Sequence, residues 1–325
     1  MRVLVTGRGS IAQRHVRHLR ELRPGVTLAV LSDGRPSDLL GPLEWLPDWA
    51  AAKAWAPQAV VIASVSARHA DDLLACLGAG WPCLAEKPLV TTAAALAAVR
   101  AACIRHAPLA PVVVGCNLRY MPSLQRVQEV LRRGVLGRIV RAQFEVGQNL
   151  AQWRPGRELG TSYSACAEQG GGVLLDLVHE VDLARWMLGP LEVAAAVAGQ
   201  FSQPLAEAGL KANDVHVALL KQAGGAPVTI SLDYVSQKLV RRHVFTGESG
   251  TLVWDLGSRR CWMDDASGTT ELSHDPQEFD MALTYRLQMQ DWLLAMEQPS
   301  HQVVSPLADA LETTALMLAM QEAAQ

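Results

Sequence analysis

None of the six cysteines stands in a C-x-x-C pair, and no histidine cluster accompanies them at zinc-finger spacing. A structural zinc module and a disulfide-stapled scaffold therefore find no support. Cys76, Cys83, Cys103, Cys116, Cys166 and Cys261 are scattered singly. They read as small hydrophobes in core positions, which suits a reducing compartment. No stretch approaches the roughly 18–20 uninterrupted apolar residues of a membrane span. The N-terminus is a strand-like run without the charged, apolar and small-residue layout of a signal peptide. The expected location is the cytoplasm, with no membrane partner. A surplus of one charge is also missing: 29 Lys and Arg stand against 32 Asp and Glu, for a net charge of −3. Nucleic acid is not an expected partner on that balance. The local basic group Arg14, His15, Arg17, His18 and Arg20 reads as a solvated helix face. Internal repeats and low-complexity linkers are absent as well.

What remains is an ordinary globular composition, 50% hydrophobic and 19% charged over 325 residues, enough for about two domains with proper cores. The first 120 residues alternate apolar runs with helix-length segments. Arg2 to Thr6, Val26 to Ser32, Ala59 to Ser64, Pro82 to Ala85 and Val112 to Gly115 read as strands. Helices are expected over about Ile11 to Leu22, Ala70 to Ala79 and Thr92 to His106. Continuous β-branched runs interleaved with helices imply a parallel sheet covered on both faces. After about Tyr120 the texture changes. Ile139 to Val146, Val193 to Gly199, Val215 to Leu220, Val228 to Tyr234, Val240 to Thr246 and Thr251 to Asp255 are strand-like and separated by turn signals. This reads as a mainly antiparallel sheet in an α+β second domain. Two helices, about Gln277 to Met296 and Pro306 to Ala323, close the chain.

Gly7, Gly9 and Ala12 stand in a G-x-G-x-x-A arrangement directly after a strand and at the start of a helix. Gly7 permits the tight turn, Gly9 lets backbone approach a pyrophosphate, and a small residue at 12 lets helix and strand pack closely. With Ser10 and Ile11 these residues form a phosphate-binding turn, because the helix N-terminus offers free N–H groups to an anion. A dinucleotide is the expected cofactor, NAD or NADP. The second strand ends at Ser32-Asp33-Gly34-Arg35. An acid here accepts both ribose hydroxyls and repels a 2′-phosphate, which favours NAD; Ser32, Arg35 and Ser37 could instead hold that phosphate.

Two further segments carry chemistry. Glu86-Lys87-Pro88 follows a short strand of the parallel sheet, at the edge where ligands sit in an open α/β fold. A lysine there can bond a substrate hydroxyl or carbonyl and stabilise charge on its oxygen; a surface salt bridge is the plainer alternative. Pro88 could fix the backbone through a cis peptide. In GGGVLLDLVHEVDLARWMLG, Gly170, Gly171 and Gly172 mark a close-approach loop before a helix. Asp176, His179 and Asp182 fall at i, i+3 and i+6 and make one stripe on that helix. Such a stripe among Leu174, Leu177, Val181 and Leu188 is costly unless it lines a cavity or is fully hydrogen-bonded. Histidine is the side chain best suited to move a proton near neutral pH. A metal would find only two ligands in Asp-x-x-His, and none is expected; a satisfied structural network is the other alternative.

Together these segments resemble the glucose-fructose oxidoreductase/inositol dehydrogenase (Gfo/Idh/MocA) family over almost the whole chain. The pattern is echoed in VIASVSARHADDLLACLGAGWPCLAEKPL and in VVVGCNLRYMPSLQRVQEVLRRGVLGRIV. Family members commonly have D-x-G-x-H, whereas D-L-V-H here shortens the spacing to three; WRPGRELGTSYSACAEQGGGVLLDLVHEVD looks like a bacterial subgroup with that spacing. His179 thus carries over as catalytic, and the shortened spacing puts the role of Asp176 in doubt. The texture change places the domain boundary near 120, giving residues 1–119 and 120–325; the resemblance implies that the first is a Rossmann domain and that the open sheet of the second, substrate-binding domain covers the active site and mediates a homodimer or homotetramer. It also implies that the terminal helices, about 281–325, pack back onto the first domain.

The expected activity is hydride transfer between NAD(P) and a secondary alcohol or ketone carbon of a sugar, sugar acid, nucleotide-sugar or polyol. Ser64, Val65, His69, Glu86 and Lys87 are the expected cofactor contacts beyond the glycine turn, Asp33 and Arg35. Lys87 would hold the reacting oxygen, His179 the proton, and Asp176 would orient substrate or His179. Trp153, Arg154, Arg157 and Tyr163 are expected to line the outer pocket, aromatic faces suiting sugar C–H surfaces and Arg a carboxylate or phosphate; a loop in which Trp and Arg stack on one another is the alternative. Asn117, Arg119 and Tyr120 at the domain junction are further candidates, with Arg119 also readable as structural. His69 can equally cap a helix start. Three other readings stay open: a non-catalytic NAD(P)-binding regulatory protein, reduction of an imine or biliverdin-like substrate, and a redox-neutral hydrolase that uses NAD transiently.

Overall fold

A computed structural model describes residues 1–34, 41–153 and 159–325. Arg35, Ser37, Arg154 and Arg157, and the side chain of Trp153, lie outside what is described. The chain divides into two compact units, Met1–Asn117 with Ala282–Thr314, and Leu118–Met281 with Ala315–Gln325.

In the first unit the elements run β1 (Arg2–Thr6), α1 (Ser10–Leu22), β2 (Thr27–Leu31), β3 (Glu44–Leu46), α2 (Trp49–Trp55), β4 (Ala59–Ile62), α3 (His69–Ala79), β5 (Cys83–Ala85), α4 (Ala93–Arg105) and β6 (Val112–Val114). The six strands are parallel and ordered β3-β2-β1-β4-β5-β6. Chain direction across the sheet reverses between β1 and β4, the place where a doubly wound sheet opens a crevice at its strand ends. Val3, Leu4 and Val5 are fully buried, as are Val60, Val61 and Ile62. Strands with no wet face explain their unbroken apolar runs. The chain returns to this unit late: Met289, Trp292 and Leu293 of α10 (Met281–Glu297) share a core with Val3, Val5, Leu19 and Leu28. The sequence reading passed over β3 and α2, two short elements whose polar and aromatic residues carry no clear period.

The second unit contains α5 (Pro122–Arg132), β7 (Ile139–Gly147), α6 (Leu150–Trp153), α7 (Val173–Asp176), α8 (His179–Leu188), β8 (Leu191–Gly199), α9 (Gln203–Glu207), β9 (Val215–Gln222), β10 (Pro227–Asp233), β11 (Val240–Gly247), β12 (Thr251–Asp255), β13 (Arg260–Asp265) and β14 (Gly268–Ser273). Its eight strands lie in the order β14-β13-β12-β11-β7-β10-β9-β8. Every pairing is antiparallel except β7 with β10. Phe144, Val146, Leu220, Ile230, Leu232, Phe245 and Trp254 form the buried face with residues of α5, α7 and α8. The last helix, α11 (Leu307–Ala323), belongs to the first unit up to Thr314 and to the second from Ala315.

One expectation is corrected. The glycine-rich segment does not form a single helix: α7 ends at Asp176, Leu177 takes φ −101°, ψ 26°, and a new helix starts at His179. Asp176 and His179 therefore stand at the end of one helix and the beginning of the next, and the stripe drawn through Asp182 is interrupted. All six cysteines are free thiols. Among the described residues no helix is long and apolar enough to cross a membrane.

Candidate active site

At the end of β1, Gly7 adopts φ +84°. A Cβ there would fall 2.5 Å from the Ala63 carbonyl oxygen and 2.8 Å from Ser64 Cα, so only glycine fits the turn. Gly9 precedes α1 without a side-chain bond to the first amides, and a Cβ on it would meet nothing within 4 Å. Ala12 is fully buried beneath. First-turn N–H groups without a side-chain cap, beside a glycine with open space in front, fit a pyrophosphate. Ser10 and Ile11 lie in that first turn.

Asp33 stands just past β2. Arg68 Nη1 donates to its Oδ1 at 2.7 Å and its Oδ2 at 2.8 Å. The Arg68 hydrogen bonds and charge hold the Asp33 carboxyl below the usual aspartate range. The Ser32 hydroxyl donates to the Gly34 carbonyl, and the Arg8 guanidinium lies 3.4 Å from the position a Gly34 Cβ would take. Arg8 and Arg68 were not anticipated from the sequence.

Beyond β4, Ser64 Oγ donates to Asp72 Oδ2 at 2.7 Å, and Val65 is an exposed apolar residue. His69 is buried; its Nδ1 is 2.8 Å from the Pro88 carbonyl oxygen and its Nε2 3.1 Å from that of Ser64. Both ring nitrogens thus face backbone oxygens. Past β5, Glu86 is buried and receives the Nε2 of His15 at 2.7 Å on Oε1. Its Oε2 accepts the Lys87 N–H at 3.2 Å. Burial alone would push the Glu86 carboxyl up, but the His15 hydrogen bond, with the charges of His15, Lys87 and His69, brings it below its ordinary value. The Lys87–Pro88 peptide is cis, and the Lys87 side chain is half-buried. After β6, a Cβ on Gly115 would lie 2.8 Å from Glu86 Oε2 and 2.9 Å from Lys87 N, so a glycine is what lets the turn close there.

Asn117 is buried, and its amide donates to Thr284 Oγ1 at 2.6 Å in the interior of the first unit. Tyr120 is buried as well, within the second unit.

In that unit the glycine triplet folds onto the turn before it. A Cβ on Gly171 would fall 2.0 Å from the Tyr163 carbonyl oxygen, and Gly172 takes φ +119°. This brings Tyr163 to Asp176: its hydroxyl donates to Asp176 Oδ1 while the Tyr234 hydroxyl donates to Oδ2 at 2.7 Å. Tyr234 is a residue the sequence reading missed, since nothing in its strand-end position marks it. His179 opens α8 and is buried. The next residue, Glu180, pairs with Arg241 at 2.8 Å. Asp182 accepts from Arg119 Nε at 2.8 Å and Nη2 at 2.7 Å, both partners 1% exposed.

The family described as "Oxidoreductase family, NAD-binding Rossmann fold" matches residues 1–113, and the GFO/IDH/MocA C-terminal domain matches residues 124–253. Inositol 2-dehydrogenase 2 of Saccharopolyspora erythraea is 30% identical over 206 residues, covering 61% of this chain and 56% of that protein. Inositol 2-dehydrogenase of Gluconacetobacter diazotrophicus is 28% identical over 237 residues, covering 70% and 66% respectively. The matches thus span between just over half and just under two thirds of those relatives' own length. Among solved structures, a levoglucosan dehydrogenase complexed with NADH superposes with a TM-score of 0.84 at 19% identity, over 100% of this chain and 96% of that one. At that identity the likeness speaks for the fold.

Proposed function

This chain belongs to the GFO/IDH/MocA family of oxidoreductases with an NAD-binding Rossmann domain, and from that premise we propose that it is a dehydrogenase or reductase acting on a secondary alcohol or ketone carbon of a sugar-like polyol. The observation that carries the reading lies in the first unit. The glycine turn after β1, Val65 after β4 and the Lys87 turn after β5 stand at the same end of three adjacent parallel strands. That edge is where a doubly wound sheet takes its cofactor.

NAD, when bound, supplies the hydride acceptor or donor. Gly7, Gly9 and the first amides of α1 hold its phosphates, and Asp33 takes the adenosine ribose hydroxyls. The charged carboxylate there repels a 2′-phosphate and supports NAD over NADP. Lys87 Nζ polarises the reacting oxygen and stabilises its partial charge. The His179 imidazole takes the hydroxyl proton in oxidation and returns it in reduction. Asp176, gripped by two phenols, keeps Tyr163 and the end of α7 in place. The relatives' names favour a cyclic polyol such as an inositol. The outer face of the second unit's sheet supports a further part of the reading, a homodimer or homotetramer.

The test is a panel of cyclitols, anhydrosugars and sugar acids followed by NADH absorbance, repeated with Lys87→Ala and His179→Ala. Each substitution is expected to lower kcat by about two orders or more while NADH still binds. Full kcat in both variants would remove the assigned roles.

A further inference from the structure

The two residues flanking Lys87 are each held by a buried histidine from a different helix. On one side, His15 of α1 donates through Nε2 to Glu86 Oε1 at 2.7 Å. On the other, His69 of α3 lies with Nδ1 2.8 Å from the Pro88 carbonyl oxygen. Its second nitrogen is 3.1 Å from the Ser64 carbonyl oxygen, at the end of the neighbouring strand. His15 is fully buried, His69 is 2% exposed and Glu86 5%. None of the three is a surface decoration.

We propose that His15 and His69 are positioning residues for the reaction, a two-sided brace that fixes the Lys87 backbone so that its ammonium is presented in one place. The proposal rests on the assignment of Lys87 to the reacting oxygen. Lysine needs such support because its head sits on four rotatable bonds and is a point charge without a rigid fork. Whatever error enters at Cα is carried to the tip. The brace removes that error at both peptide neighbours. Glu86 adds to it by accepting the Lys87 N–H on its second oxygen, and Gly115 closes the turn from β6. Through His15, the brace also ties the Lys87 turn to the helix whose N-terminus holds the cofactor phosphates. With its N–H on Nδ1, His69 donates to the Pro88 carbonyl oxygen, and its Nε2 edge packs against the strand end that carries Ser64 and Val65. A histidine that merely filled core volume would not need its nitrogens aimed at residues 86 and 88.

The experiment labels the intact protein with limiting acetic anhydride and reads acetylation of Lys87 against the exposed Lys53 and Lys221 by peptide mass spectrometry. In His15→Ala and His69→Ala the Lys87 ratio is expected to change by about threefold or more. His15→Gln, which keeps an N–H donor, should fall between wild type and alanine. In turnover of the best substrate of the polyol panel at saturating NAD, the alanine variants should lose about tenfold to a hundredfold in kcat. A purely structural role would lower the melting temperature and leave the labelling ratio alone; an unchanged ratio in both alanine variants overturns the brace. Full turnover in Lys87→Ala would overturn the catalytic assignment instead, and the labelling would still judge the brace. Loss in Lys87→Ala beside full-rate histidine variants would sink the brace alone. If the alanine variants do not fold, Glu86→Gln replaces the charged partner with a neutral one of the same shape, and the same ratio decides.

Discussion

His243 lies fully buried on β11, its ring stacked 4.9 Å from Trp254 and tilted 5.0 Å from Phe144. Burial, followed by the charge of Arg241, pushes its pKa down to about 3; burial likewise lowers buried His216 to about 4. The folded-state value is below the unfolded one, so the neutral ring is what folding keeps. Its contribution is fully present above about pH 6.5 and is lost as pH falls toward 3. For His243 the loss at pH 5 amounts to about 2 kcal/mol. Urea unfolding at pH 7 and pH 5 should show that difference shrinking by about this amount in His243→Phe; an undiminished difference would mean another group carries the acid sensitivity. Asp33→Ser removes the carboxylate and leaves Arg68 and Arg8 beside the proposed ribose site. The ratio of KM values for NADP and NAD should then fall by roughly tenfold or more. An unmoved ratio would show that Asp33 does not read the ribose.

Helix α8 carries His179, Glu180 and Asp182 within its first turn, and the two acids are each paired to a buried arginine. These pairs fix how the helix start is presented. Arg119→Ala would strand the Asp182 carboxylate in the interior and should cost about 3–5 kcal/mol of unfolding free energy. The double variant Arg119→Met with Asp182→Leu should recover most of it, and failure to recover would mean the pair is not the main support. The same helix marks where sequence reading stops. The run Val173 to Leu188 is apolar at helical spacing throughout, so the break at Leu177 leaves no local signature. It follows instead from the glycine loop folding onto the Tyr163 turn. The edge strand β14 and its neighbour β13, with Asp, Thr and Ser among their residues, carry no alternation strong enough to mark them, and α5 lies between two clearer signals. Elements with unbroken β-branched runs, β1 and β4 above all, were legible because both faces are buried. In the candidate site the glycine turn and Lys87 were legible from local motifs. The grip on Asp176 was not, because Tyr234 is 58 residues away, and the hold on Glu86 was not, because His15 is 71 residues away. Partners that meet only through the fold leave no spacing to read.

On the eight-stranded sheet, registration across the strands sorts the outer face into rows. Val217 stands opposite Ser231, Ser231 beside Glu145, and Glu145 opposite Arg242; Leu219 stands opposite Thr229, Thr229 beside Gln143, and Gln143 opposite Val244. Val217 and Leu219 are each 41% exposed and Val197, opposite Val217, is 63% exposed. An apolar patch at one end of a face, with Glu145 and Arg242 facing each other in its middle, suits contact with a second copy related by a two-fold axis, where each charge can meet its opposite. A lone protomer would leave those valines and leucine against water, at roughly 25 cal/mol for each Å² of apolar surface. The homo-oligomer proposed above would bury them. Sedimentation of the wild-type protein at micromolar concentration should therefore report a dimer or larger. Leu219→Arg combined with Val217→Arg should shift it to monomer while NADH binding, which belongs to the first unit, is unchanged. A wild-type protein that sediments as a monomer would refute the assembly, and a double variant that stays associated would place the contact on another surface.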